Sequence, residues 1–146
     1  FYGSRMGMSH VIPELIKKIL DTKNNTINVY SVNHKRTFCY IKDAVQMIKL
    51  LAESDQTIGK TYNIGNDDEE ITMGELAEKI IGLIGNNVKI KPQPATSGSP
   101  KRRCPSIIKL KEAVSYTKQY SLKEGLQETF DWYSANVFSG KEVSAV

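Results

Sequence analysis

The chain has 146 residues and a mass of 16.4 kDa, a size that suits one compact domain. Hydrophobic residues make up 40% and charged residues 25%, and no apolar run approaches the roughly 20 residues that a membrane-spanning helix needs. Cys39 and Cys104 are too few for a disulfide scaffold, so a reducing, cytoplasmic setting is expected. The net charge of +4 suits nucleic acid as well as phosphorylated small molecules, and the placement of the basic residues has to decide between them.

The first half of the chain alternates between helical and strand-like patterns. Apolar pairs recur at helical spacing from residue 11 onward, and Pro13 is tolerated because it falls in the first turn. Asp43 is predicted to cap a second helix, whose buried stripe would consist of Ala44, Val45, Ile48 and Leu51. The predicted elements are helix, strand, strand, helix and strand, over residues 11–20, 27–30, 37–41, 43–53 and 61–65.

Two helix starts in the second half carry a specific signature. Thr72 with Glu75, and Ser121 with Glu124, each form a capping box, in which the two side chains satisfy free amides of the first helical turn. The helix that follows Thr72 is predicted to end at Gly85. The segments after it are predicted to be a strand over 88–90, a proline-rich loop over 92–105 and a short helix capped by Ser106.

Helices that alternate with single short strands indicate the α/β class. The strands are too few and too short to complete a doubly wound sheet. The chain also begins abruptly at Phe1, so we expect it to be a piece of a longer polypeptide. Residues 1–138 are predicted to form one lobe, and residues 139–146, which show no periodicity, an unstructured tail.

The sequence lacks the motifs of a self-contained catalytic centre. It contains no glycine-rich dinucleotide fingerprint, no phosphate-binding P-loop and no nucleophile elbow. His10 and His34 have no third ligand at a suitable spacing, so no metal site is expected. We therefore assign no catalytic residue to this chain.

Two segments could bind a ligand. In residues 30–38 an aromatic side chain precedes a polar turn, and Arg36 then offers a planar fork to phosphate or carboxylate oxygens. Lys101, Arg102 and Arg103 form a basic cluster that could clamp a diphosphate. Each segment also has a simpler interpretation. Residues 30–38 could be a solvent-exposed hairpin, and residues 101–103 a solvent-exposed basic loop. The acidic run at 67–70 is interpreted as structural.

Six segments, in order, carry a further signal. Residues 2–6 read Tyr-Gly-Ser-Arg-Met, and residues 36–43 read Arg-Thr-Phe-Cys-Tyr-Ile-Lys-Asp. The others lie at 62–66, 72–77, 100–107 and 121–126. Together they resemble the C-terminal half of extended short-chain dehydrogenase/reductases that act on nucleotide sugars. That family of NAD-dependent epimerases and dehydratases includes the UDP-glucuronate decarboxylases.

The resemblance implies the C-terminal part of a Rossmann-type enzyme, mostly its small substrate-binding lobe, with 61–65 as a late strand of the nucleotide-binding sheet. Arg36 and Arg103 would contact the substrate's phosphates. Tyr30 would pack against the nucleobase, and His10 and Val11 would line the entrance. Tyr2 and Arg5 would lie beside the active site.

The resemblance further implies that NAD is bound mainly by an N-terminal half absent from this sequence. The full-length protein would be a cytoplasmic homodimer that takes a nucleotide-sugar substrate, with no nucleic-acid or membrane partner.

The departures from the family pattern bear on activity. The Gly-x-x-Gly-x-x-Gly cofactor loop and the Tyr-x-x-x-Lys catalytic pair are both absent, so the chain alone is expected to be inactive. Ser31 and Val32 replace a Gly-Asp pair, which affects the expected nucleobase contact most. A non-catalytic binding or interaction domain derived from the same lobe is an alternative. A small RNA binder is a third, although no aromatic residue interleaves the basic cluster.

Overall fold

The computed structural model of the protein describes residues 1–139, which form a mixed α/β fold with short strands. The helices are α1 (Val11–Asp21), α2 (Ile41–Ala52), α3 (Met73–Ile84), α4 (Ile108–Ala113) and α5 (Leu122–Asn136). The strands are β1 (Thr26–Tyr30), β2 (Lys35–Arg36), β3 (Ile71–Thr72), β4 (Lys89–Gln93) and β5 (Arg102–Arg103). The predicted α/β class is therefore confirmed. Apart from Ser139, the predicted tail lies outside the described residues.

The strands form two small sheets. β1 pairs with β4 in parallel, from Thr26 opposite Lys89 to Tyr30 opposite Gln93. The second sheet has the order β3-β2-β5, with β2 antiparallel to β3 and parallel to β5. Because β2 is the central strand of the second sheet, its pairing with β3 on one side and β5 on the other fixes the position of Arg36.

The main core lies where α1, α3 and α5 meet one another and where α1 and α3 cover β1. Its most enclosed side chains are Ile12, Leu76, Ala77 and Ile80, each fully buried. The predicted apolar spacing of α1 is confirmed, since Ile12, Leu15, Ile16 and Ile19 all face this core. Both predicted capping boxes are present, and Gly85 ends α3 in the left-handed conformation, with φ of 77°.

A smaller cluster of buried residues lies between α2 and α4. Its members are Cys39, Ala44, Met47, Ile107 and Leu110. Burial raises the pKa of the Cys39 thiol to about 11, so this cysteine acts as a small apolar side chain.

The strand predicted over 37–41 is wrong. Only Lys35 and Arg36 pair regularly, because the neighbouring strands β3 and β5 are each two residues long. Beyond them, Tyr40 makes a single bridge to Tyr2, and Ile41 already begins α2. The strand predicted over 61–65 is not formed either, because no described segment supplies a ladder partner for it.

Asp43 does not cap α2, whose N-cap residue is Tyr40. The Asp43 carboxylate is 2% exposed and accepts hydrogen bonds from the backbone N–H groups of Gln119 at 2.9 Å and Tyr120 at 3.2 Å. The Asp43 carboxylate therefore binds backbone amides of the segment before α5 instead of those of its own helix.

Two further local predictions are wrong. Ser106 does not cap α4, since Ile107 occupies the N-cap position without a side-chain hydrogen bond. The predicted stripe of α2 is only partly buried: Ala44 is 3% exposed, whereas Val45 and Ile48 are 56% and 53% exposed. Met47 is buried instead of these two residues. No helix among residues 1–139 is both long and apolar enough to cross a membrane.

Candidate functional site

A cavity of about 490 Å³ lies against the N-terminal part of α1 and the ends of β1 and β2. It combines an apolar wall with a few convergent polar groups, as small-molecule sites usually do. Four residues singled out from the sequence line it, namely Val11, Tyr30, Arg36 and Arg103. Other lining residues are Glu14, Asn28, Phe38, Met73, Thr96 and Ser99.

Arg36 and Arg103 are directly paired across the parallel strands β2 and β5. Paired residues of neighbouring strands point to the same face of a sheet, and both side chains line the cavity. The pKa of the Arg36 guanidinium is lowered, first by burial and second by the positive charge of Arg103. Two like charges held together at a cavity wall favour an anionic ligand between them.

Three hydrogen bonds fix the plane of the Arg36 guanidinium. Nη1 donates to the carbonyl oxygen of Lys35 at 2.7 Å, and Nη2 donates to Ser99 Oγ at 3.0 Å and to the Pro100 carbonyl at 2.7 Å. His34 Nδ1 lies 3.3 Å from the same Ser99 hydroxyl. The Nε–H and one Nη1–H make no hydrogen bond within residues 1–139 and can bind a ligand.

Ser31 anchors the loop that brings Ser99 to Arg36. Its φ is 53°, in the left-handed region, where the chain turns sharply after β1. Its buried hydroxyl accepts a hydrogen bond from the Thr96 N–H at 3.0 Å. The roles of Ser31 and Ser99 are not evident from the sequence. The proline-rich composition predicts a loop, but it does not say which side chain the loop will meet.

Tyr30 ends β1 with half of its surface exposed at the cavity. The Nζ of Lys18 lies 5.9 Å from the centre of the Tyr30 ring, and Lys18 also pairs with Glu14 one helical turn earlier. Because half of its surface remains exposed, the Tyr30 ring can pack against a planar group. Sequence spacing alone could have placed Glu14 and Lys18 on one face with Val11.

The structure does not bring Tyr2, Arg5 and His10 into this cavity. Tyr2 is 2% exposed in the main core, and its hydroxyl donates to the Leu122 carbonyl at 3.3 Å. Arg5 is exposed in a turn with φ of 62°. His10 is exposed at the N-cap position of α1.

The basic cluster at 101–103 is divided between two roles. Arg103 lines the cavity, whereas Arg102 forms a bidentate ion pair with Glu70, with Nε–O distances of 2.9 and 3.0 Å. Lys111 and Lys118 bind the other residues of the acidic run, Asp67, Asp68 and Glu69. The acidic run thus holds together distant parts of the chain, in keeping with a structural role.

Comparison with known proteins agrees with this architecture. The sequence model of the NAD dependent epimerase/dehydratase family matches residues 1–65. UDP-glucuronic acid decarboxylase 6 of Arabidopsis thaliana is 37% identical over 127 residues, which cover 86% of this chain and 36% of that protein. These matches show that the chain resembles the NAD-dependent epimerase/dehydratase family and the UDP-glucuronic acid decarboxylases. The expected resemblance is confirmed.

Solved structures extend the likeness to the fold. The dTDP-glucose 4,6-dehydratase of Bacillus anthracis, in complex with NAD, superposes with a TM-score of 0.81 at 27% identity, over 94% of this chain and 43% of the dehydratase. The UDP-glucuronic acid 4-epimerase of Bacillus cereus, in complex with UDP-glucuronic acid and NAD, superposes with a TM-score of 0.80 at 25% identity, over 92% and 42%. This chain has the fold of the C-terminal part of such Rossmann-type enzymes. It spans less than half the length of these relatives.

Proposed function

We propose that this chain is the nucleotide-sugar-binding portion of an NAD-dependent epimerase, dehydratase or decarboxylase. The observation that carries the proposal is the direct pairing of Arg36 with Arg103 at the wall of one cavity. The relatives named for UDP-glucuronic acid make a UDP-linked uronate the first ligand to test.

The cavity residues have distinct tasks in this proposal. The free N–H groups of Arg36 and the guanidinium of Arg103 donate charge-assisted hydrogen bonds to the diphosphate, which are stronger than bonds between neutral groups. Tyr30 packs against the nucleobase, and Val11 supplies an apolar wall beside it. Ser99 keeps the Arg36 plane fixed, so that less freedom is lost when the anion binds.

The described residues do not fit NAD itself. No helix in residues 1–139 begins at a glycine-rich turn after a strand, the arrangement that receives the pyrophosphate of a dinucleotide. We place NAD and the proton-transfer groups in a polypeptide part outside this sequence. This chain then binds and orients substrate, is inactive alone and belongs to a homodimer in the complete enzyme.

Calorimetry with UDP and UDP-glucuronic acid tests the diphosphate site. Arg36→Ala and Arg103→Ala are each expected to weaken binding by about 1.5–3 kcal/mol, the usual value of a hydrogen bond to a charged group. Arg102→Ala is the matched control, because this neighbouring arginine is bound to Glu70 and does not line the cavity. Equal affinity of all three variants and the unchanged chain would contradict the assignment.

A turnover assay tests the division of labour. The 146-residue chain, given UDP-glucuronic acid and NAD, is expected to release no product, since it lacks the Tyr-x-x-x-Lys pair. Measurable turnover would show that the essential groups lie within these residues.

The absence of the Tyr-x-x-x-Lys pair also favours a second candidate function, a binding domain without catalysis. UDP binding would persist in that case, but adding a cofactor-binding part would not produce turnover.

A further inference from the structure

Two four-residue turns lie next to each other at the cavity wall. In the first, the His34 N–H donates to the Ser31 carbonyl at 2.8 Å. In the second, the Ser99 N–H donates to the Thr96 carbonyl at 3.1 Å. Ser31 and Gly98 have φ of 53° and 75°, in the left-handed region that sharp turns use. Each turn is therefore closed by its own backbone.

Side-chain hydrogen bonds join the two turns at both ends. At their first residues, the Ser31 hydroxyl accepts from the Thr96 N–H at 3.0 Å. At their last residues, His34 Nδ1 lies 3.3 Å from Ser99 Oγ. Both pairs are 65 positions apart in the chain, so the turns run alongside each other in one register. Ser31 and His34 are both buried, so little water competes for these two bonds.

Ser99 connects the paired turns to Arg36. Its Oγ accepts from Arg36 Nη2 at 3.0 Å, because a guanidinium can only donate. The hydrogen of the hydroxyl is then left for His34, the other polar contact of this side chain within residues 1–139. His34 Nδ1 accepts it, which places the imidazole hydrogen on Nε2. A protonated ring would instead direct two donors at Ser99 and remove the acceptor of its hydrogen.

These contacts give His34 a role at the ligand site that it does not itself line. We infer that His34 is a positioning residue for the anion site of Arg36 and Arg103, and that it acts through Ser99 to fix the plane of the Arg36 guanidinium. The inference rests on the proposed function, because it takes Arg36 as a group that binds phosphate.

The chemistry of the Arg36 partners suits such a role. Within residues 1–139 they are one hydroxyl and two backbone carbonyls, all of them neutral. They orient the guanidinium without cancelling its charge, whereas the nearby Arg102 is paired with the Glu70 carboxylate at 2.8 Å. An oriented cation loses less freedom when an anion binds, and its full charge remains available to that anion.

A double-mutant cycle in the 146-residue chain tests this connection by calorimetry with UDP. Ser99→Ala and His34→Leu are each expected to weaken binding about 2- to 12-fold, the equivalent of one neutral hydrogen bond. The double variant should bind as Ser99→Ala alone does, because both changes break the same connection. Ser97→Ala is the matched control, since this serine of the same turn is exposed and does not line the cavity.

Two further measurements separate positioning from a purely structural role. His34→Asn keeps a side-chain acceptor close to the position of Nδ1, so it should bind UDP within about twofold of the unchanged chain, even where its unfolding midpoint falls as far as that of His34→Leu. The ¹⁵N NMR shifts of the His34 ring in the free chain should show the hydrogen on Nε2.

Three results would overturn the inference. They are additive losses in the double variant, an Asn variant that binds UDP no better than the Leu variant, and a His34 ring that carries its hydrogen on Nδ1. Unchanged UDP binding by both His34→Leu and Ser99→Ala, with Arg36→Ala impaired, would contradict the inference and leave the proposed function intact.

Inorganic pyrophosphate is the second probe, and it separates the inference from the proposed function. Binding of pyrophosphate but not of UDP, weakened by His34→Leu and Ser99→Ala, would contradict the proposed nucleotide site and support the positioning role. Binding of neither probe by the unchanged chain would contradict both.

Discussion

The main core and the small α2–α4 cluster differ in how completely the chain encloses them. Around the main core, three helices contact one another, and Ile12, Leu76 and Ile80 are fully buried. The small cluster has five buried members, and α2 beside it leaves Val45 56% exposed. The apolar side chains of the main core are enclosed by one another. The second region is enclosed on one side only, and α2 exposes apolar side chains on the other.

The largest expected effect compares two isoleucines, one from each region. Ile80→Ala in α3 removes a fully buried side chain and should lower the free energy of unfolding by about 2–5 kcal/mol, because a cavity remains. Ile48→Ala in α2, at a position 53% exposed, should change it by no more than about 0.5 kcal/mol. Urea denaturation of both variants measures the difference. Similar losses would mean that the two regions are equally enclosed.

A pair of helical glycines tests how tightly the main core is packed. A Cβ at Gly125 would lie 2.2 Å from the Tyr2 hydroxyl oxygen, so Gly125→Ala should destabilise the chain by about 1–3 kcal/mol. At Gly82 a Cβ would meet no atom of residues 1–139 within 4 Å. Gly82→Ala should therefore stabilise the chain by about 0.5–1 kcal/mol through the better helix propensity of alanine. Thermal unfolding separates the two, and a stable Gly125→Ala variant would show that Tyr2 can move aside.

The smallest effect compares two serines that precede helices. Ser121 caps α5 in the main core, and Ser121→Ala should cost about 1 kcal/mol. Ser106 precedes α4 without capping it and uses its backbone carbonyl to accept from Asn63. Ser106→Ala should therefore stay within about 0.5 kcal/mol of the unchanged chain. A larger loss at Ser106 than at Ser121 in urea denaturation would contradict this assignment of the caps.

Local signals predicted the elements of the main core well. α1 follows its apolar spacing, and both capping boxes form where the sequence places them. Predictions for the second region were poorer. The sequence predicts that Val45 and Ile48 are buried, but both are exposed, and 61–65 has strand character but no ladder partner within residues 1–139. An apolar pattern shows which side of a helix or strand is suited to burial, but it does not show which residues will pack against that side.

The site depended on the tertiary structure in a different way. The fork of Arg36 and the basic character of Arg103 are visible in the sequence, and so is the aromatic ring of Tyr30. Their convergence is not visible in the sequence. It depends on the pairing of β2 with β5, in the register that sets Arg36 opposite Arg103. Ser31 and Ser99 gain their roles through hydrogen bonds to Thr96 and Arg36, which no spacing predicts.

The sequence by itself determined the helix boundaries at capping boxes and at Gly85, the apolar faces, and the family motifs. These depend on interactions within a few residues, whose geometry the backbone fixes. The tertiary structure decided which side of α2 is covered, what Asp43 binds and which two arginines share a cavity. Such contacts join residues far apart in the chain, and their free energy exists only once the fold has brought them together.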